Sequence, residues 1–240
     1  MRKSPVNKIL ATLMNKDAGS DTLPELLCKA CADALPVSGV GMALMTDGGH
    51  KGAIAATDGP ARLMEDLQFT LGEGPCVDAS REGRPVLQPD LARTASARWP
   101  GFGPPVLDAG IAAIFAFPLQ VGGIRLGVLD IYRSTAGNLD DEQLAHALAF
   151  ADAAVVILVH LQSQTAPGEG THPHLTDTFG SRPELHQATG MISVQALVGL
   201  TEALLLLRAH AFSAERSILD VARDVVSRRL RFPPEDGRHE

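Results

Sequence analysis

The chain has 240 residues, 45% of them apolar and 20% charged, with a formal charge of −7; this balance suits a globular protein with a substantial core and excludes a disordered chain. A net negative chain does not coat nucleic acid along its whole length, although a local basic face is compatible with it. Aromatic residues make up only 4%, so an aliphatic core is expected, and three cysteines make no disulfide framework and point to a reducing compartment.

In chain order, residues 1–20 are expected to form an N-terminal helical segment. Asn7, Lys8 and Asn15 to Asp17 interrupt any apolar run there, so no secretory leader is read and a cytoplasmic protein is expected. DTLPELLCKACADAL has helical spacing behind the capping candidate Asp21, with a Pro just inside. GVGMALMTD and KGAIAAT, separated by Gly48 and Gly49, read as paired strands, and PARLMEDLQF as a short helix. LGEGPCVDASREGRP is expected to be a loop, followed by an irregular Pro-rich stretch around WPGFGPP. AAIFAFPLQV and IRLGVLDIYR, split by Gly122-Gly123, carry a strong hairpin signal. LDDEQLAHALAFADAAVVILVHLQ opens with a capping pattern and makes a closing helix. Its most apolar part, from Leu144 to Leu161, is broken by His146, Asp152 and His160 and reads as too short and polar to cross a bilayer, so no membrane partner is expected. The predicted class is α+β, an antiparallel sheet with helices packed on one face.

Residues 163–180 are poor in apolar side chains and hold Pro167, Gly168, Gly170 and Pro173, the composition of a linker; His172 and His174 within it make no metal site. Residues 181–233 read as three helices. The first runs from about Pro183 to Gln195, Thr201 caps the second, and Ser217 with Asp220 caps the third, which extends through ILDVARDVVSRRLRF. Leu185, Met191, Ala203, Leu207, Ala211, Ile218, Val221, Ala222 and Val225 supply the seams of a small bundle. Pro233-Pro234 stops the helix, and residues 234–240 form a tail.

The order of elements over residues 21–162, with the GEGPC loop, the FPLQVGGIRLGVLDIY hairpin and the closing helix, resembles the GAF domain family. The resemblance implies a pocket between the sheet and the irregular middle segment, taking a small-molecule effector. Members of that family bind ligands as different as cyclic nucleotides, haem, bilins and metabolites, so no cofactor is named. Met42, Leu44, Cys76 and Phe117 are the candidate pocket residues. Cys76 lies beside a Gly-rich turn near an expected helix N-terminus, where a thiol pKa is lowered. Some GAF proteins reduce free methionine sulfoxide through a Cys in a comparable loop, which supplies an enzyme alternative. That chemistry needs resolving cysteines, and Cys28 and Cys31 fall on a different element. Cys28-x-x-Cys31 also lacks the second ligand pair of a zinc site and reads as two small buried side chains. With no P-loop, no Ser/His/Asp arrangement and no metal-ligand cluster in the spacing, neither catalysis nor a metal is expected.

HQATGM, TEALLLLRAHA and ILDVARDVV together resemble the ANTAR domain, the RNA-binding output module of transcription antiterminators. The family blocks fall on Gln187-Ala188-Thr189-Gly190, Glu202-Ala203, Leu207-Arg208 and Leu219-Asp220-Val221-Ala222. Thr189 stands where many members carry Lys, and SAERS lacks the family's Asn while keeping Arg216. Gly190 sits mid-helix, where Gly is about 1 kcal/mol worse than Ala; the missing Cβ lets another backbone, or RNA, come close. From Arg182 to Phe232 there are seven Arg against five carboxylates, in a chain that is negative as a whole. Arg suits RNA because its planar fork binds phosphate and stacks on unpaired bases. The candidate RNA-binding residues are Gln187, Thr189, Gly190, Arg208, Arg216 and Arg223. The resemblance implies hairpin loops of a nascent transcript read by a homodimer, with the sensor controlling the tail. The alternatives are a sensor whose tail mediates dimerisation or protein contact, and the thiol-dependent enzyme.

Overall fold

The computed structural model describes residues 4–14, 22–46, 49–164, 183–214 and 216–233. Asp21, the linker residues from Thr165 with His172 and His174, Arg182 and the last seven residues lie outside that set. The chain divides into two compact units, residues 1–180 and 181–240.

The first unit opens with α1 (Pro5–Met14) and α2 (Leu23–Ala34), then a strand pair, β1 (Gly39–Thr46) and β2 (Gly49–Ala56). The cap of α2 is Thr22, one residue later than expected: its hydroxyl accepts from the Glu25 amide while the Glu25 carboxylate accepts the Thr22 amide, a reciprocal capping box. Next come α3 (Gly59–Leu71), α4 (Pro75–Glu82), β3 (Val86–Gln88), α5 (Leu91–Arg98) and α6 (Gly103–Asp108). The hairpin follows as β4 (Ala113–Val121) and β5 (Ile124–Arg133), with Val121 paired to Ile124 across the glycine turn. The closing helix is α7 (Asp141–Ser163), capped by Asp140 with Gln143. The five strands form one antiparallel sheet in the order β2-β1-β5-β4-β3.

Helices cover both faces, not one. Strand alternation makes this possible: Val40, Met42, Phe115, Phe117, Leu129 and Ile131 point to a core shared with α1, α2 and α7. Ala43, Met45, Ile114, Ala116, Val128 and Tyr132 point to a second core, closed by α3 to α6. The stretch expected to be a loop around Cys76 is the helix α4, its Pro75 at the start and its C-terminus at Gly83, φ 66°. α7 has 23 residues, enough by length and composition to cross a membrane, contrary to the reading of its apolar stretch as too short; half of that window is buried within the fold. Cys28 and Cys31 are free, buried thiols on α2, and burial pushes Cys31 up to about 12.

The second unit is a three-helix bundle: α8 (Pro183–Ala196), α9 (Leu200–Ser213) and α10 (Ile218–Val226). α9 starts at Leu200 behind Gly199, so Thr201 lies inside the helix and does not cap it. Ser217 caps α10 by accepting from the Asp220 amide. The expected continuation through SRRLRF is not helical. The Ser227 hydroxyl donates to the Arg223 carbonyl at 2.6 Å, and Arg228 takes a left-handed φ of 61°. The amides of Arg229 and Leu230 both donate to the Asp224 carbonyl, reversing the chain. Leu185, Ala188, Ile192, Ala203, Leu207, Ala211, Ile218, Val221, Ala222 and Val225 are buried. Met191, expected among them, is only half-buried.

Candidate functional site

The four candidate pocket residues do not converge. Met42 and Phe117 belong to the core under α2 and α7, with Leu44 partly buried against it, while Cys76 is buried on the opposite face of the sheet. The parity of the strands decides this, since Met42, Leu44 and Phe117 share the phase of Val40 and Phe115. The volume between the sheet and the middle segment, where a pocket was expected, holds Met64, Leu91, Trp99, Phe102 and Val106, all buried. Phe117 does line a cleft of about 240 Å³ on the other face, beside Pro118, Leu148 and Asp152.

At the centre of the α3–α6 face lies a polar cluster drawn from three elements: Glu65 and Gln68 of α3, Cys76 of α4 and Asp130 of β5. Glu65, Gln68, Cys76 and Asp130 are all 0% exposed. Gln68 Nε2 donates to Asp130 Oδ2 at 3.2 Å, and Gln68 Oε1 accepts the Cys76 amide at 2.7 Å. The Glu65 carboxyl and the Cys76 thiol lie against Asp130, their ligand atoms all within 4.8 Å of one another. Burial raises the Glu65 pKa well above the carboxylate range, and Asp130 beside it raises it further. Burial pushes Asp130 up to about 6 against the opposing pull of its hydrogen bonds from Glu65, Cys76 and Gln68. The arrangement sets two carboxyls side by side in an apolar core, where burial and their mutual repulsion both favour the neutral form of Glu65.

Two glycines make room for the cluster. A Cβ on Gly41 would overlap the Glu65 carboxyl, and one on Gly74 would lie 2.7 Å from Gln68 Oε1, at a φ of 130° that side chains rarely adopt. Glu65, Cys76 and Asp130 offer ligand atoms all within 4.8 Å of one another, a spacing compatible with a metal ion. No such group was expected, because its members come from α3, α4 and β5 and make no motif in the sequence.

The bundle carries a different kind of site. Gln187, Gly190, Met191, Val194 and Gln195, the i, i+3, i+4, i+7 and i+8 stripe of α8, line a groove of about 460 Å³ with Arg228 and Arg231. The segment after α10 is held there at two points. The Phe232 amide donates to Gln195 Oε1 at 2.9 Å, and the Phe232 ring meets His210 of α9 edge-on with centroids 5.4 Å apart. Beyond its own helix backbone, a Cβ on Gly190 would meet nothing within 4 Å among the described residues. Of the remaining candidates, Thr189 lies on α8 but turns its hydroxyl to the Leu185 carbonyl at 2.7 Å. Arg208 is half-buried, and burial lowers its pKa. Arg216 and Arg229 share Asp224 at 2.7 and 2.6 Å, and Arg223 pairs with Asp220 at 3.1 Å. None of Thr189, Arg208, Arg216 and Arg223 lines the groove.

A family model for the GAF domain matches residues 19–159. The chain belongs to the GAF domain family. Solved structures agree on the fold. The GAF domain of a phosphoenolpyruvate-protein phosphotransferase from Coxiella burnetii is 16% identical with a TM-score of 0.50, covering 68% of this chain and 95% of that one. The corresponding Acinetobacter domain is 10% identical with a TM-score of 0.51, covering 67% and 94%. A type II free methionine-R-sulfoxide reductase from Thermoplasma acidophilum is 17% identical over 66% of this chain and 96% of its own, but its TM-score of 0.43 is too low to carry its activity across. No curated protein matches the chain.

The GAF fold is a signal-sensing one, and in this GAF domain the cysteine next to the Gly-rich turn is a buried hydrogen-bond donor. Burial raises the Cys76 pKa well above its ordinary value, and Asp130 and Glu65 raise it further. That is opposite in direction to the lowering expected from the helix N-terminus, because a thiolate here would lose its hydration and sit beside two carboxyls. Sequence reading missed Glu65, Gln68, Asp130, Arg228 and Arg231. Asp130 left a trace: in LGVLDIY an acid stands between apolar neighbours on both strand faces, which places it inside the fold.

Proposed function

We propose that the chain is an RNA-binding transcription antitermination regulator, a GAF sensor controlling a C-terminal module of the ANTAR type. The observation that carries this reading is the groove of the second unit. It joins Gln187 and Gly190, two residues of the motif, to two arginines that hold no ion pair among the described residues. Free guanidinium groups beside a concave surface suit the phosphates and splayed bases of an RNA loop. A homodimer gripping two loops raises the effective concentration of the second contact, which suits a footprint this small. A small-molecule effector acting on the GAF domain changes dimerisation or exposure of the tail. No catalytic role is assigned, since a buried thiol with a raised pKa is a poor nucleophile.

One observation favours a second reading. Leu197, Leu200, Leu205 and Phe212 are 63–79% exposed on the bundle, which fits a tail that contacts protein or a second copy. The two are separated by titrating the full-length protein against hairpin RNAs with a constant stem and randomised loops, over a salt series. Loop-selective binding whose affinity falls steeply with salt is the expected result. No binding at low salt, with a dimer lost on deleting the tail, supports the second reading instead.

A further inference from the structure

We infer that the α8 groove is a nucleobase site: one unstacked loop base lies over Gly190 against Met191 and Val194, with its edge read by Gln187 and its flanking phosphates held by Arg228 and Arg231. The inference rests on the antiterminator reading and moves the RNA contact away from Arg208, Arg216 and Arg223.

Gly190 argues for it first. A glycine stands mid-helix where alanine would favour the helix, and beyond its own helix backbone a Cβ there would meet nothing within 4 Å among the described residues. Internal packing therefore gives no reason for the missing side chain. The space it leaves is the floor of the groove, where a flat ligand needs it. The walls fit the same occupant. Met191 and Val194 offer an apolar surface, Val194 being 76% exposed. Gln187 is exposed, and its side-chain amide offers both a donor and an acceptor, the pair that reads a base edge. The groove, at about 460 Å³, falls within the range of roughly 300–1,000 Å³ that small-ligand sites occupy.

The charges divide in the same way. Asp220 and Asp224 engage Arg223, Arg216 and Arg229, and Arg208 is half-buried. Arg228 and Arg231 are exposed, hold no side-chain ion pair or hydrogen bond among the described residues, and both line the groove. Arg228 is also in a left-handed conformation, φ 61°, which is uncommon for a residue with a side chain and occurs often at functional positions.

The test uses the full-length protein and the tightest hairpin recovered from the randomised-loop pool, with each loop nucleotide replaced in turn by an abasic one. One abasic position is expected to lose about tenfold or more in affinity for the wild type. Gly190→Ala should bind the intact loop with a comparable loss, show little further loss at that abasic position, and melt no lower than wild type. Arg228→Ala should weaken binding and reduce the salt slope by about one. Arg223→Ala, whose guanidinium is already paired, should change affinity by less than about twofold. If the wild type binds loops but Gly190→Ala binds equally well, or no abasic position matters, the nucleobase site is wrong and the antiterminator reading stands. If the wild type binds no hairpin at low salt, both fall.

Discussion

The two units dispose their polar side chains in opposite ways. The GAF domain turns Glu65, Gln68 and Asp130 into its core, where Gln68 ties Asp130 to the Cys76 amide. The tail turns its polar groups outward, neutralises some arginines with Asp220 and Asp224, and leaves Arg228 and Arg231 open beside a concave stripe. A buried polar cluster acts on the fold that encloses it; an exposed set beside a groove meets solvent and salt. The two kinds of polar site therefore respond to different perturbations.

The largest expected effect comes from breaking the buried cluster. Asp130→Leu removes the acceptor from Gln68 Nε2 and puts an apolar side chain against Glu65, and should destabilise the GAF domain by roughly 3 kcal/mol, because a buried donor left unmade is costly. The chain has a single tryptophan, Trp99, 2% exposed in the same core, so urea unfolding followed by tryptophan fluorescence reports this unit alone. A loss below about 1 kcal/mol would mean that the cluster contributes little to holding the fold.

A change of pH sharpens the contrast because the two units should respond with opposite signs. Folding raises the pKa of Asp130 to about 6 and that of Glu65 as well. Above about pH 4, the unfolded carboxyl value, the folded GAF domain thus binds more protons, and its stability falls as pH rises toward 6. Asp224 of the tail is held below the usual range by hydrogen bonds from Arg216 and Arg229, so its contribution is present at neutral pH and lost as pH falls through its lowered folded value. The tryptophan midpoint should be higher at pH 5 than at pH 7, and Glu65→Gln should flatten that difference; a midpoint that rises with pH contradicts the burial argument. The smallest effect is expected from Arg216→Ala. Asp224 keeps Arg229 as its second partner, so the helical circular-dichroism melt should shift slightly and hairpin affinity by less than about twofold.

Periodicity and capping made much of the fold legible. α2, the β1–β2 pair, the Gly122-Gly123 hairpin and α7 were readable because each carries a local signal that tertiary packing does not override. α4 was misread because Gly74 offers no side-chain cap and the stretch is rich in turn-forming residues. Helices on both faces were missed because α5 and α6 are short and sit among prolines. The sites were less legible for a different reason. Glu65 and Gln68, three apart on α3, look like the wet face of a surface helix until Asp130 arrives from a strand 62 residues beyond Gln68. The basic run SRRLRF looked like the end of a long helix; only the left-handed turn at Arg228 brings Arg231 back to α8.

The empty space over Gly190 has an evolutionary reading. One nucleotide change turns a glycine codon into an alanine codon, and here that change would meet no steric resistance from the bundle while favouring the helix. Drift should therefore erase this glycine quickly wherever selection does not restore it. On the proposed RNA reading, relatives whose tails no longer bind RNA are expected to carry alanine at this position before any core residue of the bundle changes.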